Sequence, residues 1–442
     1  MTIRMDEGAA ELLDTLHRAG YAAYVVGGCV RDSLLGLTPH DWDLCTSALP
    51  QQGMELFGEE KCIPTGLQHG TVTVKQGGGL YEITTFRTEG AYTDGRHPDE
   101  VHFVPDVRED LARRDFTINA MAYNAKEGLI DPFGGQADLQ SGILRAVGVP
   151  HQRFTEDALR ILRLYRFAAR FGFAIDPPTA QAAQELCAHL DCVSVERIEE
   201  ELAKLLSAPA PAAYLNEKIL SVVLPELSPE ALAAAKPVVD ACPAGERALP
   251  VRLAALLLSL GEDGTRRTLR RLRCSNACVE ETAVLVREIV SGVPGAFSSD
   301  TNRAIPSPAL LPAATGSHPS GRSSEKLPAR PPVSLNIYAR RLLGKYNLCT
   351  VQRLAALGTA LQPEHAADFA ALSELAEQLD ADGVCCRVSQ LAVNGRDLMA
   401  AGVPAGPGIR KVLEALLDGV IREEYPNERQ ALLAAVQQLA AS

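Results

Sequence analysis

No stretch of this chain is apolar for long enough to cross a membrane. Runs such as Leu253–Leu258 end far short of the ~20 residues a spanning helix needs. The opening MTIRMDEGAAELLDTL lacks an apolar signal core and carries early acids, so neither a secretory nor a transit peptide is expected. No CxxC pair occurs among the 11 cysteines; Cys187/Cys192, Cys274/Cys278 and Cys385-Cys386 are the close spacings. That excludes a paired-cysteine zinc site and reads as scattered reduced thiols in a cytoplasmic protein. Positive charge is also short: 43 Lys+Arg against 55 Asp+Glu leave a net charge of −12. Such a balance argues against a protein that coats nucleic acid indiscriminately, but a local basic groove remains open to it.

What is present is ordinary for a globular chain: 442 residues, 46% hydrophobic and 22% charged. At roughly 100–200 residues per domain, about three domains are expected. Residues 5–20 carry a helical apolar pattern (Ala9, Leu12, Leu13, Leu16). The β-type run Tyr24-Val25-Val26 then stops at Gly27-Gly28. Val30–Leu35 reads as a helix and His40–Cys45 as a second strand; Val72–Val74 and Tyr81–Phe86 add further strands of one small mixed sheet. From Arg153 to about residue 290 the pattern is helical, and helices resume at Ile337–Leu343. Between them Pro294–Pro332 holds eight prolines, seven serines and three glycines, and is expected to be a disordered linker.

The chemistry-bearing residues begin with Asp41 and Asp43 in HDWDLCTS. On a strand, residues two apart share a face, so both carboxylates can hold a divalent cation; oxygen ligands suit Mg²⁺. A bare DxD also fits a turn or an exposed strand face. Just ahead lies Gly27-Gly28-Cys29-Val30-Arg31-Asp32, where glycines let the backbone approach a phosphate at a helix start and Arg31 adds a charge-assisted contact. The combination suggests nucleotidyl transfer, with Glu82 in YEITTFR as candidate third carboxylate. A cross-strand salt bridge or simple exposure explains Glu82 as well. At about 100° per residue, Arg160, Arg163, Arg166 and Arg170 share one side of a helix with Glu156, while Ile161, Leu162, Leu164, Tyr165 and Ala168 take the other.

GGCVRD, DWDLCTS, YEITTFR, RRDFTINAMAYN and EDALRILRLYRFAARFGF, in this order, resemble the class II tRNA nucleotidyltransferases: the CCA-adding enzymes together with the bacterial poly(A) polymerases. The likeness covers about residues 21–205 closely and the later helices more loosely. It implies an α+β fold: a small mixed-sheet nucleotidyltransferase head of polymerase-beta type, followed by all-helical neck, body and tail. The expected boundaries are a head at 1–150, a neck at 151–205, a body at 206–293, the linker at 294–333 and a tRNA-binding tail at 334–442. By resemblance, Gly28 and Arg31 would touch the incoming nucleotide, Asp41 and Asp43 would bind Mg²⁺, and Arg114 would meet the sugar or phosphates. Asp157, Arg160, Arg163 and Arg166 would complete the nucleotide pocket, with Asp157 and Arg160 reading base edges. The implied reaction is template-independent addition of CCA to tRNA from CTP and ATP, with no membrane and no protein partner called for.

The polar loop 87–104 follows YEITTFR, where CC-only relatives have a shortened loop, so a CC-only enzyme is disfavoured. Arg266–Arg273 packs five arginines into eight residues, fitting either a grip on acceptor-stem phosphates or a solvated face. Residues 251–262 stand where some relatives carry an HD metal dyad, and no histidine occurs between His189 and His318, which disfavours phosphatase activity there. The other readings are an A-adding enzyme or poly(A) polymerase on the same head, and a non-catalytic RNA-binding module; the intact pair Asp41/Asp43 argues against the last.

Overall fold

The computed structural model describes residues 3–90, 100–291 and 334–441, in two units, Met1–Pro225 and Glu226–Ser442. In the first unit, helix α1 (Glu7–Arg18) starts where Asp6 accepts hydrogen bonds from the Gly8 and Ala9 N–H groups, and it buries Leu12, Leu13 and Leu16. The chain then passes through β1 (Ala23–Val26), α2 (Gly28–Leu34), β2 (Leu44–Thr46), α3 (Pro50–Phe57), β3 (Cys62–Gly66), β4 (Thr71–Gln76) and β5 (Gly79–Thr85). Strands β6 (Arg87–Glu89) and β7 (Val101–Phe103), helix α4 (Val107–Ala112), strands β8 (Ala122–Asn124) and β9 (Gly128–Ile130), helix α5 (Gly135–Ser141) and strand β10 (Ile143–Leu144) complete the sheet region.

The main sheet has the order β3-β4-β5-β2-β1-β8-β9. Only β2 and β5 run parallel; the other neighbours are antiparallel. Every residue of β1 is buried, as expected of a strand covered on both faces. One face joins Tyr24, Val26 and Cys45 to Phe86, Val107 and Leu111, so α4 covers it. On the other face Leu16, Thr46, Val72, Val74, Ile83 and Thr85 line a small apolar gap under α1 and α3.

Helices α6 (Pro150–Glu156), α7 (Leu159–Phe171), α8 (Pro177–Glu185), α9 (Val195–Leu206) and α10 (Glu217–Val223) follow, with the short β11 (Ala174–Ile175) pairing parallel to β10. The second unit is helical: α11 (Pro229–Ala241), α12 (Leu249–Leu257), α13 (Gly261–Arg271), α14 (Asn276–Val290), α15 (Leu335–Lys345), α16 (Leu348–Leu361), α17 (Ala366–Ala381), α18 (Gly395–Ala400), α19 (Pro407–Ile421) and α20 (Arg429–Ala441). Cys385, Val393, Leu398, Leu416, Val420 and Leu432 form an apolar cluster among its last elements.

Three expectations change. The second strand begins at Leu44 rather than His40, because β1 ends at Val26 and Gly27 turns away, leaving residues 40–42 no strand to pair with. The helix carrying the arginine stripe begins at Leu159; Asp157 is extended (φ −142°, ψ 104°) and separates Glu156, in α6, from α7. The loop read at 87–104 contains the two-stranded ribbon β6–β7, Arg87 pairing with Phe103. The expected linker at 294–333 lies outside the described residues. Among those described, no helix is long and apolar enough to cross a membrane.

Candidate active site

Asp43 is the last residue before β2, and its carbonyl accepts the Val26 N–H at 2.9 Å. Because Leu44 pairs with Ile83 across the parallel strands, Asp43 stands level with Glu82 one step earlier. The register that joins two distant segments thus gathers carboxylates on one open patch of the sheet. Asp43 faces solvent but lies deep among neighbouring groups. Loss of hydration raises its carboxyl above the ordinary 3.8; Glu82 adds to the rise, Arg114 opposes it and Asp41 contributes further. Among the described residues, none of Asp41, Asp43 and Glu82 has an ion-pair partner. Bare hard-oxygen donors of this kind fit a divalent cation that takes its remaining ligands from water and phosphate. No three metal-type side chains converge on one point among the described residues, so the fit is to the Asp41–Asp43 pair with substrate completing the shell.

Beside them the chain turns at Gly27 (φ 75°, ψ −119°), whose N–H donates to the Met121 carbonyl at 3.0 Å. The Arg114 guanidinium lies against this turn: a Cβ on Gly27 would stand 2.8 Å from Arg114 Nη1. Gly28 meets no such crowding, with Arg31 Nη2 at 3.7 Å from its virtual Cβ. Arg114 donates to Asp110 Oδ2 at 3.3 Å, while its Nε is buried without a partner. Gly28, Arg114 and the carboxylates therefore form one neighbourhood.

Arg31 is placed differently. It is 4% exposed, donates to Asp32 at 2.7 Å and to Asn119 at 2.5 Å, and lies over the rings of Phe167 and Phe171. Burial lowers its pKa, and Asp32 opposes that shift. It links α2 to α7 rather than standing open toward the carboxylates.

The arginine stripe of α7 is real, and each member meets an acid. Arg163 donates to Asp115 at 2.7 and 2.9 Å, and Asp115 also accepts from Asn119 at 3.0 Å. Burial pushes the Asp115 carboxyl up, but the Arg163 charge and hydrogen bond, the Asn119 hydrogen bond and the Arg160 charge together outweigh it and hold it down to about 2. Arg166 donates to Glu201 of α9 at 2.6 Å and lies 3.6 Å above the Phe167 ring. Arg160 donates to Glu156 at 2.8 Å and to the Arg113 carbonyl at 3.0 Å. Asp157 accepts from Arg197 at 2.8 Å and from the Leu159 N–H at 3.0 Å, so it also serves the start of α7. The base-reading candidates thus sit one residue from Arg114 along the Arg113–Arg160 contact, with their charges met by protein partners.

Asp110, Asp115, Asn119, Arg197 and Glu201 were absent from the sequence-derived site. The available signal was polar residues set among apolar ones, as in RRDFTINAMAY.

The model described as the poly A polymerase head domain matches residues 23–145. The model described as domain 2 of tRNA nucleotidyltransferase matches 334–436, and that described as an RNA and SrmB-binding site of polymerase A matches 172–230. Together these matches place the chain among the nucleotidyltransferases. A CCA-adding enzyme of Geobacillus stearothermophilus is 35% identical over 438 residues, covering 96% of this chain and 95% of the relative. One from Lactiplantibacillus plantarum is 50% identical over 210 residues, where the aligned part spans about half of each protein, 48% of this chain and 51% of the relative. The crystal structure of the Bacillus stearothermophilus CCA-adding enzyme in complex with CTP superposes with a TM-score of 0.77 at 30% identity, covering 99% of this chain and 98% of that one. The chain belongs to the family of CCA-adding enzymes. Nucleotidyltransferases of this family use a divalent metal.

Proposed function

We propose that this protein adds CCA to the 3′ end of tRNA from CTP and ATP, releasing pyrophosphate. The observation that carries the reading is the level placement of Asp43 and Glu82 beside Arg114, in a chain whose relatives along its whole length are CCA-adding enzymes. The tRNA 3′-oxygen attacks the α-phosphorus and the bond to the β-phosphate bridging oxygen breaks. Asp41 and Asp43 would hold Mg²⁺, which when bound supplies charge stabilisation for the phosphates and acidifies the attacking hydroxyl. Arg114 and the Gly27-Gly28 turn would take the triphosphate or sugar; Arg31 would reach it only by exchanging its Asp32 and Asn119 bonds. Arg163 and Arg166 would wall the pocket from α7.

Base choice would fall to Asp157 and Arg160. Cytosine and adenine each offer an amino donor beside a ring-nitrogen acceptor, so a carboxylate and a guanidinium suit both; uracil presents the opposite polarity. The pairings with Arg197 and Glu156 would exchange as nucleotide enters. The second unit, including the tail matched by the tRNA nucleotidyltransferase domain, would hold the tRNA. Within it the arginine-rich α13 supports a phosphate grip poorly, since Arg266 and Arg270 pair with Glu280, and Arg271 with Glu226.

The test is incubation with tRNA lacking CCA, Mg²⁺ and labelled CTP or ATP separately. Incorporation of CTP followed by ATP is expected. ATP incorporation alone would favour an A-adding or poly(A) enzyme, and none would favour a binding module. In the same assay Asp157→Ala is expected to lose much of the CTP-over-UTP preference, which for a site with buried polar groups is on the order of 10⁴-fold. An unchanged ratio would leave Asp157 with the Leu159 N–H as its role.

A further inference from the structure

Asp110 is a carboxylate with no solvent exposure at the middle of α4, and α4 carries no residue expected to touch nucleotide. Its two oxygens serve two directions. Oδ1 accepts from Arg113 Nε at 3.0 Å and Nη2 at 2.9 Å, and from the backbone N–H of Arg87 at 3.3 Å. Oδ2 accepts from Arg114 Nη2 at 3.3 Å. Arg113 in turn donates to Glu89 of β6 at 2.7 Å, and its carbonyl receives Arg160.

Arg114 is the informative member. A guanidinium has five N–H donors, and among the described residues Asp110 is the acceptor Arg114 has. The rest of its fork is uncommitted among the described residues, and it is wedged against Gly27, where its charge acts on the Asp43 carboxylate. A long side chain held by one buried anion, with donors left over among the described residues, is held in place before a ligand arrives. That removes ordering cost from binding.

We propose that Asp110 is a positioning residue for the incoming nucleoside triphosphate, acting through Arg114, and that its Arg113 arm ties the same anchor to β6 and Arg160. The inference rests on the nucleotidyl-transfer reading above. It adds an acid, outside the motifs that suggested that reading, whose work is to aim the triphosphate-binding arginine.

Asp110→Asn keeps shape and one acceptor oxygen but removes the charge. In the full-length enzyme we expect the KM for CTP and for ATP to rise on the order of 10-fold, since a hydrogen bond to a charged group is lost, while the KM for tRNA stays within twofold. The decisive measurement is a double-mutant cycle with Arg114→Ala. If Asp110 acts through Arg114, Asp110→Asn adds little to the CTP defect of Arg114→Ala. Additive losses, or equal rises in the KM for CTP and tRNA, would reduce Asp110 to a structural acid and overturn the proposal. Should Asp110→Asn fold poorly, CTP titration by calorimetry on Glu89→Gln gives a second reading: loosening Arg113, the outer partner of Asp110, should weaken CTP binding severalfold, and unchanged affinity would overturn the proposed relay from this anchor to the nucleotide. A parent enzyme that incorporates neither CTP nor ATP would instead sink the functional reading beneath it.

Discussion

At Gly27 a single added methyl group has two consequences. The backbone there adopts φ 75° and ψ −119°, which side-chain-bearing residues reach at a cost of about 1–3 kcal/mol. The methyl would also press on Arg114 Nη1. Gly27→Ala is therefore expected to lower kcat/KM for CTP on the order of 10²-fold, since small misplacements of positioning groups cost that much. Steady-state kinetics beside a melting curve would separate the two effects. Asp43→Asn should cut kcat by on the order of 10²–10³-fold while leaving tRNA affinity intact, measured by single-turnover incorporation and filter binding. Some of this neighbourhood was legible in the sequence. Asp41 and Asp43 are two apart and advertise themselves, and Gly27-Gly28 ends an apolar run. That Glu82 stands level with Asp43 depends on a parallel pairing between remote segments, which no local pattern encodes.

In α7 the legible part was the face. An arginine stripe opposite Ile161, Leu164 and Ala168 follows from helical geometry alone. Its partners were not legible, because Asp115 comes from the turn after α4 and Glu201 from α9, and only packing brings them together. Nor was the break at Asp157, where a side chain bonding to the Leu159 N–H competes with helical continuation. The Asp115–Arg163 pair makes a stability prediction. Since the folded carboxyl sits near 2 and the ordinary value is 3.8, its contribution is whole above about pH 4 and disappears as pH falls from 4 toward 2. Parent and Asp115→Asn should differ by roughly 2–3 kcal/mol at pH 6 and converge at low pH, as read by urea denaturation across that range. A constant difference at every pH would mean that packing, not charge, separates them.

Across the whole molecule, the division into an α/β head and helical remainder was visible in the change of apolar period near residue 150. The order of the sheet was not, because β2 must find β5 past the intervening β3 and β4. On the proposed function, a chain with a net charge of −12 must concentrate its attraction for RNA locally, so the salt dependence of tRNA affinity should follow the number of phosphates contacted rather than the total charge. Residues from Val388 onward contribute most of the last apolar cluster. Removing 335–442 should raise the KM for tRNA at least tenfold more than that for CTP, since residues of the first unit alone surround the nucleotide in our reading; equal rises would take the tail out of tRNA binding.

The bond from the Val26 amide to the Asp43 carbonyl gives the candidate active site a built-in reporter. Deuterium exchange at that one amide requires the segment bearing the carboxylates to peel away from the central strand, so its rate measures how often the proposed catalytic centre opens. A substrate that bridges the carboxylates to Arg114 should slow this exchange selectively, leaving amides in the second unit to exchange at their own pace.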